Sequence, residues 1–366
     1  MRKNPMLAIF TTVFIDLLGF GILIPVFPLL ITDGPFRVTP DGWSFTQGMI
    51  MLGWLQAIYP FCMFIAAPIL GQLSDRHGRR PVLALSIFGT AIGYVLFAIG
   101  ISTGNLPLLF AARGLDGLTG GNLAVAQAAI GDISTHENRA KNFGYMGAAF
   151  GMGFIVGPYL GGKLSSPSVS FYGLFDTPHW FGATTPFWFA AVLALLNCTA
   201  VLTTFPETIK EKFHGGKIRV GQSLNNVVNG FKSDRLRVIL LSSFLFSAGF
   251  TFFTTFFGVY LRNKFSFSSS KIGDYFAIVG LCIALSQGLV VGRVAKKLVD
   301  YKVLKFSMFG TGAMMLVYFL TPTSSSMYLY MVIPFFAIFN GLCMANTSSL
   351  ISRSAEMGKQ GEAMGI

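Results

Sequence analysis

Asp16 sits in the middle of one apolar stretch, and Arg113 and Asp116 stand three residues apart in another. A charge at the centre of a membrane-buried helix costs about 2.5–3.5 kcal/mol on insertion scales, so such groups face a bundle interior and find partners there. The i, i+3 spacing puts Arg113 and Asp116 on one helix face. A carboxylate whose charge burial opposes and a nearby guanidinium favours can take up and release a proton as its access alternates, which makes Asp16 the candidate proton carrier, with Arg113 and Asp116 beside it. The alternative is a static ion pair that ties two helices together, a reading that fits Asp116 better than Asp16.

A second constellation is the short polar stretch 71–81, GQLSDRHGRRP. Gly71 and Gly78 permit a tight turn, and Pro81 suits the first turn of a following helix. Asp75 among Arg76, Arg79 and Arg80 can form a switchable electrostatic clasp. A plain basic loop explains the arginines but not the Gly, Asp and Pro placement. Further on, Gly147, Gly151, Gly153, Gly157, Pro158, Gly161 and Gly162 let helix backbones approach closely and leave a bend at Pro158. Gln56, Tyr59, Asn122, Gln127, Gln287 and Asn340 are polar residues inside apolar stretches: either cavity liners or interhelical hydrogen-bond glue. Phe246, Phe250, Phe253 and Phe257 form a stripe, with Ser247, Thr251, Thr254 and Gly258 alongside. It suits a bulky, partly apolar ligand or, equally, lipid.

The elements that must position these groups follow from composition. Of 366 residues, 53% are hydrophobic and only 11% charged, with mean hydropathy +0.63. A soluble domain carries roughly 25% charged residues, so both a soluble enzyme and a disordered chain are excluded and a polytopic membrane protein remains. Ten segments are long and apolar enough to span as helices, near 6–31, 48–71, 81–101, 106–130, 142–164, 185–205, 238–261, 272–294, 304–321 and 327–351. Twenty-one Lys and Arg fall in the gaps on the side of the N-terminus. Five fall on the other: Arg37, Lys163, Arg262, Lys264 and Lys271. Positive loops stay cytoplasmic, which puts the N-terminus and the 206–237 linker inside. The net charge of +12 is therefore topological, and nucleic acid is not an expected partner.

An internal repeat organises the spans. Residues 82–90, VLALSIFGT, return as 303–311, VLKFSMFGT, at an offset of 221. The offset also maps span 106–130 onto 327–351 and sends Arg113 to Pro334 and Asp116 to Ala337. Six helices separate the copies, so both halves share one orientation, the parallel arrangement of two six-helix bundles with a central site. The expected organisation is an all-α fold: bundle 1–205, cytoplasmic linker 206–237, and an incomplete second bundle, 238–366. The latter holds helices 7 to 10, with helices 11 and 12 missing from this sequence.

Several patterns fail. Gly100-Ile101-Ser102-Thr103-Gly104 fits GxSxG but ends an apolar helix instead of joining strand to helix. Gly215-Gly216-Lys217-Ile218 lacks the spacing of a phosphate loop. Neither the four histidines nor Cys62, Cys198, Cys282 and Cys343 have metal-ligand spacing, so no metal or cofactor is expected, and without an ATP site transport would draw on an ion gradient, with protons the candidate ion.

On these residues the chain resembles the major facilitator superfamily. The 71–81 stretch looks like its loop 2–3 signature, Arg113 with Gly117 like its helix 4 motif, and Gly153 to Gly162, GFIVGPYLGG, like its antiporter helix 5 motif. Asp16 to Gly21 (DLLGFG) with Pro25 and Pro28, Asp132, and the 139–144 stretch RAKNFG look most like bacterial tetracycline/proton antiporters and related drug:proton antiporters. The resemblance implies a rocker-switch exporter of the bacterial cytoplasmic membrane, with Asp16 and Arg113 in proton coupling. It also implies that Asp75 and its arginines stabilise one conformation against the second half. The partners expected are a small-molecule substrate, protons and the bilayer, with the chain a monomer. The substrate cavity is expected at Gln56, Tyr59, Asn122, Gln127, Phe250, Thr254, Gln287 and Asn340. The other readings are a proton-coupled importer or facilitator, a non-transporting remnant and, more distantly, a hydrolase around Ser102.

Overall fold

The computed structural model describes residues 5–32, 34–134, 139–171, 175–209, 221, 225, 227–228, 231–232, 234–291, 293, 300–323 and 325–354. Most of the 206–237 linker, Lys296, His136, His214 and the last residues of the chain lie outside these. So do the side chains of the 139–144 stretch, Asn142 excepted.

The described chain is helical: α1 (Pro5–Ile31), α2 (Phe45–His77), α3 (Arg79–Ser102), α4 (Leu106–Thr119), α5 (Asn122–Ile133), α6 (Arg139–Leu164), α7 (Thr185–Thr204), α8 (Asp234–Phe265), α9 (Ser269–Ser286), α10 (Asp300–Leu320) and α11 (Met327–Ser354). A π turn, Gln287–Val291, extends α9. The strand pair among the described residues is a two-residue ladder between α6 and α7, Ser170 opposite Asp176 and Phe171 opposite Phe175. Eight of these helices, α1–α3 and α7–α11, are long and apolar enough to cross a membrane. The glycine-rich α6 and the short α4 and α5 are not among them.

The single span expected over 106–130 is two helices. At Gly120 and Gly121 the backbone keeps φ near −67° while ψ moves to −3° and 1°, and the helix is interrupted there. Sharp bends in helices concentrate at such glycines. A Cβ on Gly121 would meet Ala67 Cα of α2 at 2.9 Å, and one on Gly120 would meet the Tyr59 hydroxyl at 2.9 Å. The interruption is therefore seated tightly against α2.

The chain divides into two compact units: residues 1–221 with Phe267–Asp274, and residues 222–266 with 275–366. In the first, α1 packs along α6, α3 lies against α4 and α7, and α2 lies against α4. Its core runs down α1 through Ile22, Leu23, Val26, Phe27 and Leu30. In the second, α11 packs on α10 and α8 around an aromatic core. Phe253 stacks on Phe257 with ring centroids 4.4 Å apart, and both rings contact Tyr318. Phe253 and Phe257 are buried. These two rings of the stripe pack onto α10 and α11, whereas Phe246 and Phe250 are half-buried.

Candidate functional site

Asp16, Arg113 and Asp116 of the first unit meet where α1, α2, α3, α4 and α5 converge. Arg113 and Asp116 pair within α4, Nη1 to Oδ2 at 3.0 Å, and both are buried. Arg113 Cζ lies 4.5 Å from the Tyr59 ring centroid. Its Nε and Nη2 are buried without a hydrogen-bond partner among the described residues. Asp16 does not take Arg113, as the residue types alone suggest. Its Oδ2 accepts a hydrogen bond from Asn122 Nδ2 at 2.6 Å. The reason is local geometry: Asp116 lies one turn from Arg113 on the same helix and closes the ion pair without any long-range approach. Asp16 keeps partial exposure, whereas Asn122 is buried. Asp116 and Asp16 still lie within electrostatic reach of each other, with Tyr59 and Tyr94 also in range. The Tyr94 hydroxyl rests on Gly19, where a Cβ would sit 1.7 Å from its oxygen.

The glycines of α6 fix where α1 holds Asp16. Every fourth residue faces α1: a Cβ on Gly153 would meet Leu17 Cβ at 2.5 Å, on Gly157 the Leu18 carbonyl at 2.7 Å, and on Gly161 the Ile22 carbonyl at 2.5 Å. Small residues at this spacing permit backbone contact between membrane helices. Pro158 packs its Cδ toward Gly21. Gly162 faces the other way and meets Gly273 of α9 at backbone distance.

The clasp is built from one arginine. Arg79, 5% exposed, pairs with Asp75 at 2.6 Å and with Asp132 at 2.9 Å, and its Nη1 donates to Ser74 Oγ at 2.6 Å. The Glu207 carboxylate accepts from the backbone N–H groups of Arg79 at 2.8 Å and Arg80 at 3.2 Å. That places an anion on the N-terminus of α3, where the helix dipole favours it. Arg80 donates to the Leu202 carbonyl, and Thr208 Oγ1 donates to Asp132 at 3.0 Å. Gly78 has φ +107°, and a Cβ there would lie 2.3 Å from Glu207 Oε2, so both backbone and space require glycine. Gly71 lies in open space within α2, and Arg76 in its last turn. These described partners of the clasp all belong to the first unit; those in the second half that the sequence led us to expect are not among them.

The expected cavity residues fall into two groups. Gln56, Tyr59, Asn122 and Gln127 lie in the first unit, Gln127 exposed and Gln56 Oε1 buried without a partner. Phe250, Thr254, Gln287 and Asn340 lie in the second. Phe250 stacks between Phe246 and Phe336, with 6.3 Å to each, and Thr254 donates to the Phe250 carbonyl. Gln287 is exposed at the π turn, and Asn340 is 1% exposed with both amide atoms unpartnered among the described residues.

A family model for the Major Facilitator Superfamily matches residues 9–366. The chain belongs to the major facilitator superfamily. Among curated members, it is 30% identical to a class C tetracycline resistance protein of Escherichia coli over 99% of this chain and 85% of that protein. It is 32% identical to the class B protein of the same organism over 81% and 68%, and 28% identical to Multidrug resistance protein 1 of Bacillus subtilis strain 168 over 90% and 77%. Solved superfamily structures share the fold: the human organic anion transporter MFSD10 at TM-score 0.64 and 22% identity, covering 99% of this chain and 88% of that one, and the nucleoside transporter NupG at TM-score 0.72 and 13% identity, covering 99% and 86%. The protein is thus a multi-pass membrane transporter of the superfamily, related to tetracycline and multidrug resistance proteins, and not an enzyme.

Two sites escaped sequence reading. Lys163, counted there as a loop cation, is 9% exposed in the last turn of α6 and bonds Asp274 at 3.0 Å and Ser270 at 2.9 Å. Its signal was a Gly-Lys pair matched by a Gly-Asp pair, Gly162-Lys163 and Gly273-Asp274. Glu207 follows α7 directly in Pro206-Glu207-Thr208, an acid in an otherwise basic connection.

Proposed function

We propose that this transporter expels small amphipathic drug-like compounds across a bacterial cytoplasmic membrane in exchange for protons, by alternating access, with its N-terminus in the cytoplasm. The observation that carries the reading is the environment of Asp16: a carboxylate on a spanning helix, partly exposed, held by the neutral amide of Asn122. Protonation of a carboxylate paired to a buried cation strands that cation, at a cost of several kcal/mol. A carboxylate paired to an amide avoids that cost, so Asp16 is suited to cycle. Arg113 and Asp116 remain paired beside it and supply a fixed charge background. The roughly 30% identity to tetracycline and multidrug resistance proteins supports the substrate class.

Everted membrane vesicles carrying the protein test this directly. Addition of tetracycline, or of a lipophilic dye cation, to vesicles with an acid interior is expected to release protons and accumulate the compound, and a protonophore to abolish both. Accumulation that is indifferent to the protonophore, or none above control vesicles with either compound, would overturn the reading.

A further inference from the structure

Helix α5 joins two charged sites that the sequence does not connect. Its first residue, Asn122, donates to Asp16 at 2.6 Å. Its penultimate residue, Asp132, accepts from Arg79 at 2.9 Å and from Thr208 at 3.0 Å. Ten residues of helix separate them, about 15 Å. The helix is set off from α4 by the Gly120–Gly121 interruption, and its N-cap, Gly121, supplies no side-chain hydrogen bond. The start of α5 is thus held by the packing of its glycine joint on α2 and by Asp16 through Asn122, not by a cap of its own.

We propose that Asn122 positions the Asp16 carboxylate, and that α5 moves as a strut which carries the protonation state of Asp16 to the Asp75–Arg79–Asp132 clasp. Ionised Asp16 accepts the strong, charge-assisted form of the Asn122 hydrogen bond and holds the positive end of α5. Protonated Asp16 weakens that hold, α5 shifts at its glycine joint, and Asp132 loosens on Arg79. The charged and titratable groups that act on Asp16 are Asp116 from α4, Tyr59 from α2 and Tyr94 from α3, with Arg113 held on Asp116 and over Tyr59. Arg113 closes on Asp116 within one helix and Asp116 is also tied to Thr90 of α3, whereas the Asn122 bond is the described link from Asp16 itself to α5. This relay rests on the assignment of Asp16 as proton carrier, yet it is measurable without transport.

Hydrogen exchange of the full-length protein in detergent, at one alkaline pH, reads it. In Asp16→Asn, which fixes a neutral side chain, peptides covering residues 74–80 and α5 are expected to exchange faster by about tenfold, the factor equivalent to ~1.4 kcal/mol. Asn122→Ala is expected to give the same acceleration, the double variant no more than either single, and Asn122→Ser, which keeps a donor, to restore protection. The pH profile of substrate efflux should move in Asn122→Ala and return in Asn122→Ser. Peptides of α7 serve as the fold control. Unchanged protection of 74–80 in both single variants, or additive effects in the double, would overturn the relay. Should efflux prove independent of protons while the exchange pattern holds, the relay stands and the functional proposal falls.

Discussion

The segment from Leu106 to Ile133 and α11, onto which the internal repeat maps it, differ in what they hold. The 221-residue offset carries Leu106 onto Met327, the first residue of α11. Register is thus retained to the residue at this helix start. Content is not. The first copy holds the buried Arg113–Asp116 pair where the second has Pro334 and Ala337. It also breaks at Gly120–Gly121, where the second, with Gly341 and Leu342, runs unbroken to Ser354. Both segments supply length and packing, and the residues in which the first differs supply charge and a joint. In the second unit aromatic rings pack on Tyr318 and Phe336, and no carboxylate stands at the positions of Arg113 and Asp116.

The largest effect that would break this contrast is at Arg113. Arg113→Ala strands the Asp116 carboxylate in the interior, and loss of one partner of a buried pair costs about 3–5 kcal/mol. Melting in detergent should fall sharply, whereas Pro334→Ala at the equivalent place should not lower it. The double replacement Arg113→Leu with Asp116→Leu should recover most of the stability and none of the transport. A single Arg113→Ala that melts like the parent protein would mean that the first copy is no more charge-dependent than the second.

A smaller effect sharpens the contrast at the joint. Gly121→Leu, which installs the residue of the second copy, forces new atoms against Ala67 and Leu70, and overpacking of this kind costs about 1–3 kcal/mol. Unaltered melting would show that the interruption is not seated against α2. The smallest lies in the adjoining repeat, where α3 carries the clasp. Glu207→Gln keeps the shape but removes the anion from the helix N-terminus, and about 0.3–1 kcal/mol should be lost, read as faster amide exchange at Arg79 and Arg80. No change there would remove Glu207 from the clasp.

The helices were legible because a spanning element announces itself by length and apolarity, and the repeat was legible because its copies still share six of nine residues. The Gly120–Gly121 interruption was not, since small residues are ordinary within membrane helices and mark close packing as often as a break. At the site, residue types were legible and partners were not. Asp16 is 106 residues from Asn122, Arg79 is 128 from Glu207, and Lys163 is 111 from Asp274. No local pattern encodes such pairings. Asp16 and Arg113 were both recognisable as interior charges, but which carboxylate takes the guanidinium was decided by the i, i+3 geometry of α4. The fate of Phe253 and Phe257 was hidden for another reason: where every face is apolar, periodicity cannot separate core from ligand surface from lipid face.

The account rests on Asp16 as the group that cycles its proton. Purified Asp16→Asn protein in liposomes, loaded with substrate on one side, separates movement from coupling. The account predicts that substrate exchange between the two sides persists at a rate near that of the parent protein, while an imposed pH gradient no longer drives accumulation. Accumulation driven by the pH gradient in Asp16→Asn, at the parent level, would contradict it.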